Sequence, residues 1–230
     1  MRKLGIIGGL SWIATHAYYE RINRMVQKQV SAPAAPPLVI ESLDYCQVQQ
    51  LRNAEQWDAI GTVLADSARR LEGAGAEGVV IAANTMHKAF DAVAGAVQLP
   101  VLHIADAVAD ALKAKAVRKV ALLGTRYVMT GSFYRKRLVA QGIDVLPPAP
   151  EEVAAIDRII YQELVMGRAT RNAERELRTI ITHQERDGAD AIVLACAELE
   201  LVVDTHANIL PVFDSTTIHC RAAADWILAG

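Results

Sequence analysis

The sequence predicts an α/β protein: two similar three-layer α/β lobes with parallel sheets, related by pseudo-two-fold symmetry. Three observations carry that expectation. Short apolar runs such as Ala191–Ala195 are bounded by glycine and charge, as a strand covered on both faces requires. Stretches with helical periodicity separate these runs, which is the pattern of a parallel sheet with crossover helices. The order of runs in the first half returns in the second.

Bulk properties narrow the class. A chain of 230 residues is comfortable as two small lobes. With 52% hydrophobic and 22% charged residues, a globular protein with a sizeable core is expected. A net charge of −2 gives no basic footprint for nucleic acid and no polybasic patch for a membrane surface. No apolar run approaches the roughly 20 residues that span a bilayer, so neither partner is expected. The opening Met1-Arg-Lys-Leu-Gly-Ile-Ile enters a strand at once and is too short for a signal peptide. Cys46, Cys196 and Cys220 have no metal-ligand spacing, and an odd count argues against a disulfide framework. A cytoplasmic protein without a metal site is the expectation.

In chain order, Leu4 to Gly8 reads as a strand, with a tight glycine-led exit at Gly8-Gly9-Leu10-Ser11-Trp12. Adjacent glycines permit positive φ and close approach of a ligand. The spacing is not G-x-G-x-x-G, so the dinucleotide reading is weak. Thr15 to Gln29 is helical through Ala17, Tyr18, Ile22, Met25 and Val26. A Pro/Ala-rich loop, Ser31 to Pro37, precedes a strand at Leu38 to Leu43 and a polar, partly helical segment from Asp44 to Gln56. A helix over Asp58 to Glu72 ends at Gly73, and Val79 to Ala83 is the next strand. Asn84-Thr85-Met86-His87 leaves its carboxyl end, and Ala89 to Val97 is helical. Leu99 to Ile104 is a strand opened by Pro100, followed by a helix over Ala105 to Lys115.

The second half opens on the strand Arg118 to Thr125, with a helix over Phe133 to Ala140 and the loop Pro147-Pro148-Ala149-Pro150. Helices over Glu152 to Met166 and Ala173 to Arg186 lead to Ala191–Ala195. A strand from Leu210 to Asp214, opened by Pro211, precedes a terminal helix from Thr216 to Leu228.

The halves align. Met1-Arg-Lys-Leu-Gly-Ile-Ile-Gly8 lies over Val117-Arg-Lys-Val-Ala-Leu-Leu-Gly124, which also places Tyr18 on Tyr134. Gly75-Ala-Glu-Gly-Val-Val-Ile81 lies over Gly188-Ala-Asp-Ala-Ile-Val-Leu194, and Leu99-Pro-Val101 over Leu210-Pro-Val212. The offsets are 116, 113 and 111 and the order is kept, so duplication is the economical reading. The expected domains are 1–105 plus 215–230 and 106–214, facing each other across one cleft. Cys196 aligns with Ala83, so one side of that cleft has a thiol where the other has a methyl group.

Each candidate has a bland reading. A cysteine after a buried strand is either packing or chemistry, and Glu198 two residues on favours chemistry. Asn84 and Thr85 serve equally as N-caps, a role compatible with anion binding at a helix start. His87 is either a second proton-transfer group or an ordinary residue of the first helical turn. Cys46 and Cys220 are expected in structural positions. His103 and His219 have no partner visible in sequence, and Asp214-Ser215-Thr216-Thr217 reads as a helix cap. A helix N-terminus after Cys196 is expected to lower its pKa. Gly8-Gly9 and Gly124-Thr125 are candidates for backbone donors to a carbanion.

These residues resemble the aspartate/glutamate racemase family, cofactor-independent enzymes of two α/β lobes with the active site between them, over nearly the whole chain. The family's glycine-rich opening is similar to Gly8-Gly9-Leu10-Ser11-Trp12-Ile13-Ala14-Thr15. Its first catalytic segment, a cysteine followed by Asn-Thr and a histidine, resembles Ala83-Asn84-Thr85-Met86-His87. Its second, Gly-Cys-Thr-Glu, resembles Ala195-Cys196-Ala197-Glu198. The resemblance implies thiol-based α-proton transfer interconverting L and D aspartate or glutamate. Cys196 is then one acid/base, with Glu198 orienting it or accepting its proton. Asn84, Thr85 and Thr125 hold the α-carboxylate, with Gly9, Ser11, Thr15 and Ala197 also lining the substrate site. Arg52 pairs with the distal carboxylate, for which a guanidinium fork is suited. No cofactor or metal is implied, the partner is a small amino acid, and a homodimer is common among relatives.

Two departures stand out. Ala83 occupies the position of the first cysteine and has no exchangeable proton. Ala197 replaces a threonine and removes a hydroxyl beside Cys196. The one-sided site keeps open a one-cysteine decarboxylase of the arylmalonate type, and a non-catalytic dicarboxylate-binding protein.

Overall fold

The computed structural model describes residues 1–31, 33–205 and 208–230; Ala32 of the proline-rich loop lies outside the described residues, as do His206 and Ala207. The chain divides into two compact units, Met1–His103 with His219–Gly230, and Ile104–Ile218.

The first unit holds strands β1 (Leu4–Gly8), β2 (Leu38–Ser42), β3 (Gly78–Ile81) and β4 (Val101–Leu102) in the order β2-β1-β3-β4. All three pairings are parallel, with Ile6 between Ile40 and Val80. Its helices are α1 (Trp12–Val30), α2 (Tyr45–Asn53), α3 (Trp57–Gly73) and α4 (Phe90–Ala94). Strand side chains alternate between faces, and the two faces serve two cores. Ile7, Val79 and Ile81 pack on Ile60, Leu64 and Leu71 of α3 and Val93 of α4. Leu4, Ile6 and Val80 pack on Tyr18, Ile22 and Val26 of α1, with Cys220, Ala223 and Ile227 from the last helix, α10 (Ser215–Leu228). Each Leu or Ile so enclosed contributes about 1.5–3 kcal/mol of transfer free energy.

The second unit repeats the plan. After α5 (Ile104–Ala114) come β5 (Lys119–Gly124), α6 (Arg126–Thr130), α7 (Ser132–Ala140), β6 (Asp144–Val145), α8 (Pro150–Gln162), α9 (Arg171–Arg186), β7 (Ala191–Ala195) and β8 (Val212–Asp214). The sheet order is β6-β5-β7-β8, again all parallel, with Leu122 opposite Val193. Leu123, Ile192 and Leu194 face Ile156, Ile160, Leu177 and Ile181 of α8 and α9. Val120, Leu122 and Val193 face Ile104, Val108 and Leu112 of α5 and Tyr134 and Leu138 of α7. Both sheets therefore have the same strand order and are helix-covered on both faces.

Local chemistry moves several boundaries. α1 begins three residues before the expected start, because the Ser11 hydroxyl accepts the Ala14 N–H and caps it at Trp12. Strand β3 is shorter than the run Val79–Ala83, although the Ala82 N–H still reaches the Ile7 carbonyl at 2.9 Å. The expected helix Ala89–Val97 is instead a 3₁₀ turn, Thr85–Ala89, followed by the short α4. The two proline-opened strands shrink to Val101–Leu102 and Val212–Asp214, since proline donates no ladder hydrogen bond. The expected helix to Met166 breaks at Gln162 and closes in a 3₁₀ turn before Gly167, whose φ is +72°. α6 and β6 were hidden in the sequence by their brevity.

Candidate active site

In the first unit the glycine-led turn leaves the carboxyl end of β1. Gly9 has φ +72°, and a Cβ there would stand 2.2 Å from the Leu43 backbone nitrogen and oxygen, so only glycine fits. The Gly9 N–H donates to the Thr15 hydroxyl at 2.9 Å, and that hydroxyl donates to the Ser11 carbonyl at 2.9 Å. Ser11 caps α1. Gly9, Ser11 and Thr15 thus spend hydrogen bonds on one another and hold the turn's shape.

The neighbouring strand β3 ends beside this turn. Ala83 is half-buried just past it, and Asn84 follows in helical conformation (φ −62°, ψ −51°) with no capping hydrogen bond from its side chain. Asn84 and Thr85 are buried. His87, also buried, donates from Nδ1 to the Ala83 carbonyl at 2.8 Å, because a carbonyl only accepts. Its ring meets that of His103 edge-on at 4.6 Å between centroids and that of His219 at 5.7 Å. His219 in turn bonds the Leu102 carbonyl through Nε2 at 3.1 Å and the Tyr18 hydroxyl through Nδ1 at 2.7 Å. The Leu102 oxygen requires a proton on Nε2, and in the neutral ring Nδ1 then accepts from the Tyr18 hydroxyl. Burial first, and the neighbouring His87 second, push the His219 pKa down to about 3. His103 and His219, solitary in sequence, therefore belong to a buried histidine cluster. No spacing rule reveals it, since the three come from different elements.

Arg52 sits in the last turn of α2, which follows β2, and is only 6% exposed. Its Nη2 reaches Asn53 Oδ1 at 3.3 Å. Asp44 caps the same helix by accepting the Cys46 N–H at 2.9 Å, and Cys46 is exposed rather than in the structural interior position expected. Cys220 is in the core as expected.

In the second unit the corresponding ends are those of β5 and β7, again neighbours. Gly124 is required by close approach: a Cβ would lie 2.7 Å from the Ala195 oxygen. Thr125 follows, buried, at the start of α6. Cys196 leaves β7 and its Sγ donates to Glu198 Oε2 at 3.0 Å, with both residues buried and Ala197 half-buried between them. Asp214, ending the adjacent β8, accepts the N–H groups of Thr216 at 3.0 Å and Thr217 at 2.8 Å, the cap its motif suggests.

The expectation of a lowered Cys196 pKa is corrected. The thiol is pushed well above its ordinary value, first by burial, then by the charge of Glu198 and the hydrogen bond to it, with Asp157 adding a smaller contribution. The segment after Cys196 is a five-residue 3₁₀ turn, Ala197–Leu201, with acidic residues in it, so its amides do not outweigh desolvation. Cys196 rests as a protonated thiol whose proton is shared with a carboxylate. A thiol proton held this way can be given to a carbanion, or passed to Glu198 to leave a basic thiolate.

Among the described residues no group of three or more His, Cys, Asp and Glu side chains is arranged to hold a metal ion, and no helix is long and apolar enough to cross a membrane.

The site residues sit in a fold with known relatives. A candidate Asp/Glu racemase from Yersinia pestis is 40% identical and superposes with a TM-score of 0.93, covering 99% of this chain and 100% of that one. An aspartate racemase homologue from Pyrococcus horikoshii is 37% identical with a TM-score of 0.86, over 99% and 100% of the two chains. The broad specificity amino-acid racemase RacX of Bacillus subtilis is 23% identical over 178 residues, 75% of this chain and 74% of RacX. An arylmalonate decarboxylase, 18% identical with a TM-score of 0.53 over 99% of this chain and 93% of its own, shares the fold alone. The model of the Asp/Glu/hydantoin racemase family matches residues 7–223, spanning both glycine turns and both strand-end segments, and the chain belongs to that family.

Proposed function

We propose that this protein moves the α-proton of aspartate or glutamate, interconverting L and D forms without a cofactor, with Cys196 as the proton-transfer group and Glu198 as its partner. The observation that carries the reading is the 3.0 Å Sγ–Oε2 hydrogen bond of Cys196 and Glu198 at the carboxyl end of β7. The α-C–H of an amino acid is a very weak acid, so a thiol with a raised pKa is the better match for it than an ordinary one. When Glu198 takes the thiol proton, the thiolate can remove the α-proton. In the return direction the thiol delivers its proton to the planar carbanion.

Substrate recognition falls to Asn84, Thr85 and Thr125 at the α-carboxylate and to Arg52 at the distal carboxylate. Gly9, Ser11 and Thr15 frame the turn beside Asn84 and Thr85, while Ala197 leaves room where a hydroxyl donor would stand. Ala83 has no exchangeable proton, so the second transfer that racemisation requires is carried by solvent. The expected result is slow racemisation, with α-proton exchange faster for the enantiomer whose C–H faces Cys196. The reading includes a homodimer and a cytoplasmic location.

The test is solvent deuterium exchange at Cα with each enantiomer of aspartate and glutamate. Incorporation into both enantiomers supports racemisation, and incorporation without inversion supports a half-active site. No exchange with any of the four refutes the reading. Alanine at position 83, aligned with Cys196 in the internal repeat, favours, as the other reading, a one-cysteine decarboxylase in which loss of carbon dioxide forms the carbanion. Carbon dioxide release from phenylmalonate would decide for it.

A further inference from the structure

We infer that His87 is a positioning residue: it fixes the tilt of the Ala83–Asn84 peptide and so places Asn84, which the proposed function sets at the substrate α-carboxylate. This rests on the proposed function and names a further member of the same site.

Past the Ala82 N–H, which donates to Ile7 at 2.9 Å, the chain leaves the sheet and the Ala83 carbonyl has no ladder position to fill. His87 supplies two ties at this point. Its backbone N–H donates to the Asn84 carbonyl at 3.1 Å, and its ring Nδ1 donates to the Ala83 carbonyl at 2.8 Å. A trans peptide carries its C=O and N–H on opposite sides of the plane. Turning the Ala83 oxygen to His87 therefore turns the Asn84 N–H away from the histidine cluster.

The ring that does this is itself held. His103 meets it edge-on at 4.6 Å, His219 at 5.7 Å, and Phe90 stacks along it with planes 9° apart at 6.2 Å. His219 cannot swing, being bonded at both nitrogens to Tyr18 and Leu102. A satisfied buried polar network of this kind specifies one geometry. It explains why a unit core accommodates three histidines behind the turn.

The test compares wild type with H87N, H87Q and H87A in the full chain. An asparagine amide nitrogen occupies the place of the histidine Nδ1, whereas glutamine carries its donor one bond too far and alanine has none. The readouts are KM and kcat for α-proton exchange with L-aspartate, the Kd of the unreactive dicarboxylate succinate by calorimetry, and thermal unfolding. Misplacing Asn84 is expected to raise KM and the succinate Kd about tenfold in H87Q and H87A. Because the carboxylate is held in ground and transition states alike, kcat is expected to move little. H87N is expected to recover most of the lost affinity.

An H87N variant as impaired as H87Q, with the loss in kcat and in the pH profile, overturns the inference, since the imidazole itself would then be required. Unchanged KM and succinate affinity in H87Q overturn it as well. If wild type exchanges protons normally, either result leaves the proposed function standing. If wild type neither exchanges the α-proton nor binds succinate, the function fails and this inference with it.

Discussion

His219 gives the protein a definite acid weakness. Its ring is fully buried and its pKa lies at about 3, against 6.5 for an exposed histidine. In the unfolded chain it takes a proton as the pH falls through 6.5, while in the native state it stays neutral until about 3. Acid therefore favours the unfolded chain, and the stability present above pH 6.5 is lost progressively below it. The difference of 6.5 − 3, or 3.5, corresponds to about 5 kcal/mol in all, at about 1.4 kcal/mol for each pH unit. Replacing His219 with glutamine removes the titrating group. The variant is expected to start less stable, because the Tyr18 hydroxyl and the Leu102 carbonyl lose their present partner, but to lose less on acidification. Between pH 7.5 and pH 5 the wild type is expected to lose about 2 kcal/mol more than H219Q, since carboxylate effects are common to both. Urea unfolding followed by tryptophan fluorescence measures this directly, because Trp12, Trp57 and Trp226 all lie in the same unit as His219. Parallel loss of stability in the two proteins would refute the reasoning.

The remaining predictions concern the site. Cys196→Ser is expected to lower deuterium exchange at Cα by about 10²–10⁴-fold while the protein stays folded; full retention removes the thiol from the chemistry. Glu198→Gln takes away a negative charge that opposes the thiolate, so alkylation of Cys196 by iodoacetamide is expected to begin at lower pH. That assay needs a Cys46→Ser background, because Cys46 is exposed and would react as well. Ala83→Cys is expected to raise racemisation in both directions, and no gain would count against thiol chemistry at that strand end. Gly9→Ala pushes a methyl group to within 2.2 Å of the Leu43 backbone and is expected to cost at least about 2 kcal/mol in urea unfolding.

What could be read in advance follows from what is local. Ala191–Ala195 was legible because a strand buried on both faces must be apolar throughout, and the repeat was legible because both sheets impose that demand in the same order. The Tyr18 and Tyr134 pair marked equivalent helix–sheet contacts, and both rings are buried. The protonation of Cys196 was misjudged because the sequence gives a helix start but not the depth of burial, which dominates. The histidine cluster was invisible for a related reason: positions 87, 103 and 219 become neighbours only through the path of the chain. α6 escaped notice because five residues after Thr125 are too few to establish a period.

The helix that follows each sheet's last strand has a consequence for how the gene can be divided. α5 comes after β4 of the first unit yet contributes Ile104, Val108 and Leu112 to the core of the second. α10 comes after β8 of the second yet contributes Cys220, Ala223 and Ile227 to the core of the first. No single cut at the repeat junction yields two self-sufficient pieces, because a fragment ending near residue 116 keeps α5 and is stripped of the C-terminal stretch that shields Leu4, Ile6 and Val80. The duplicated halves must therefore mature as one polypeptide, since residues 219–230 complete the interior that the first strands begin.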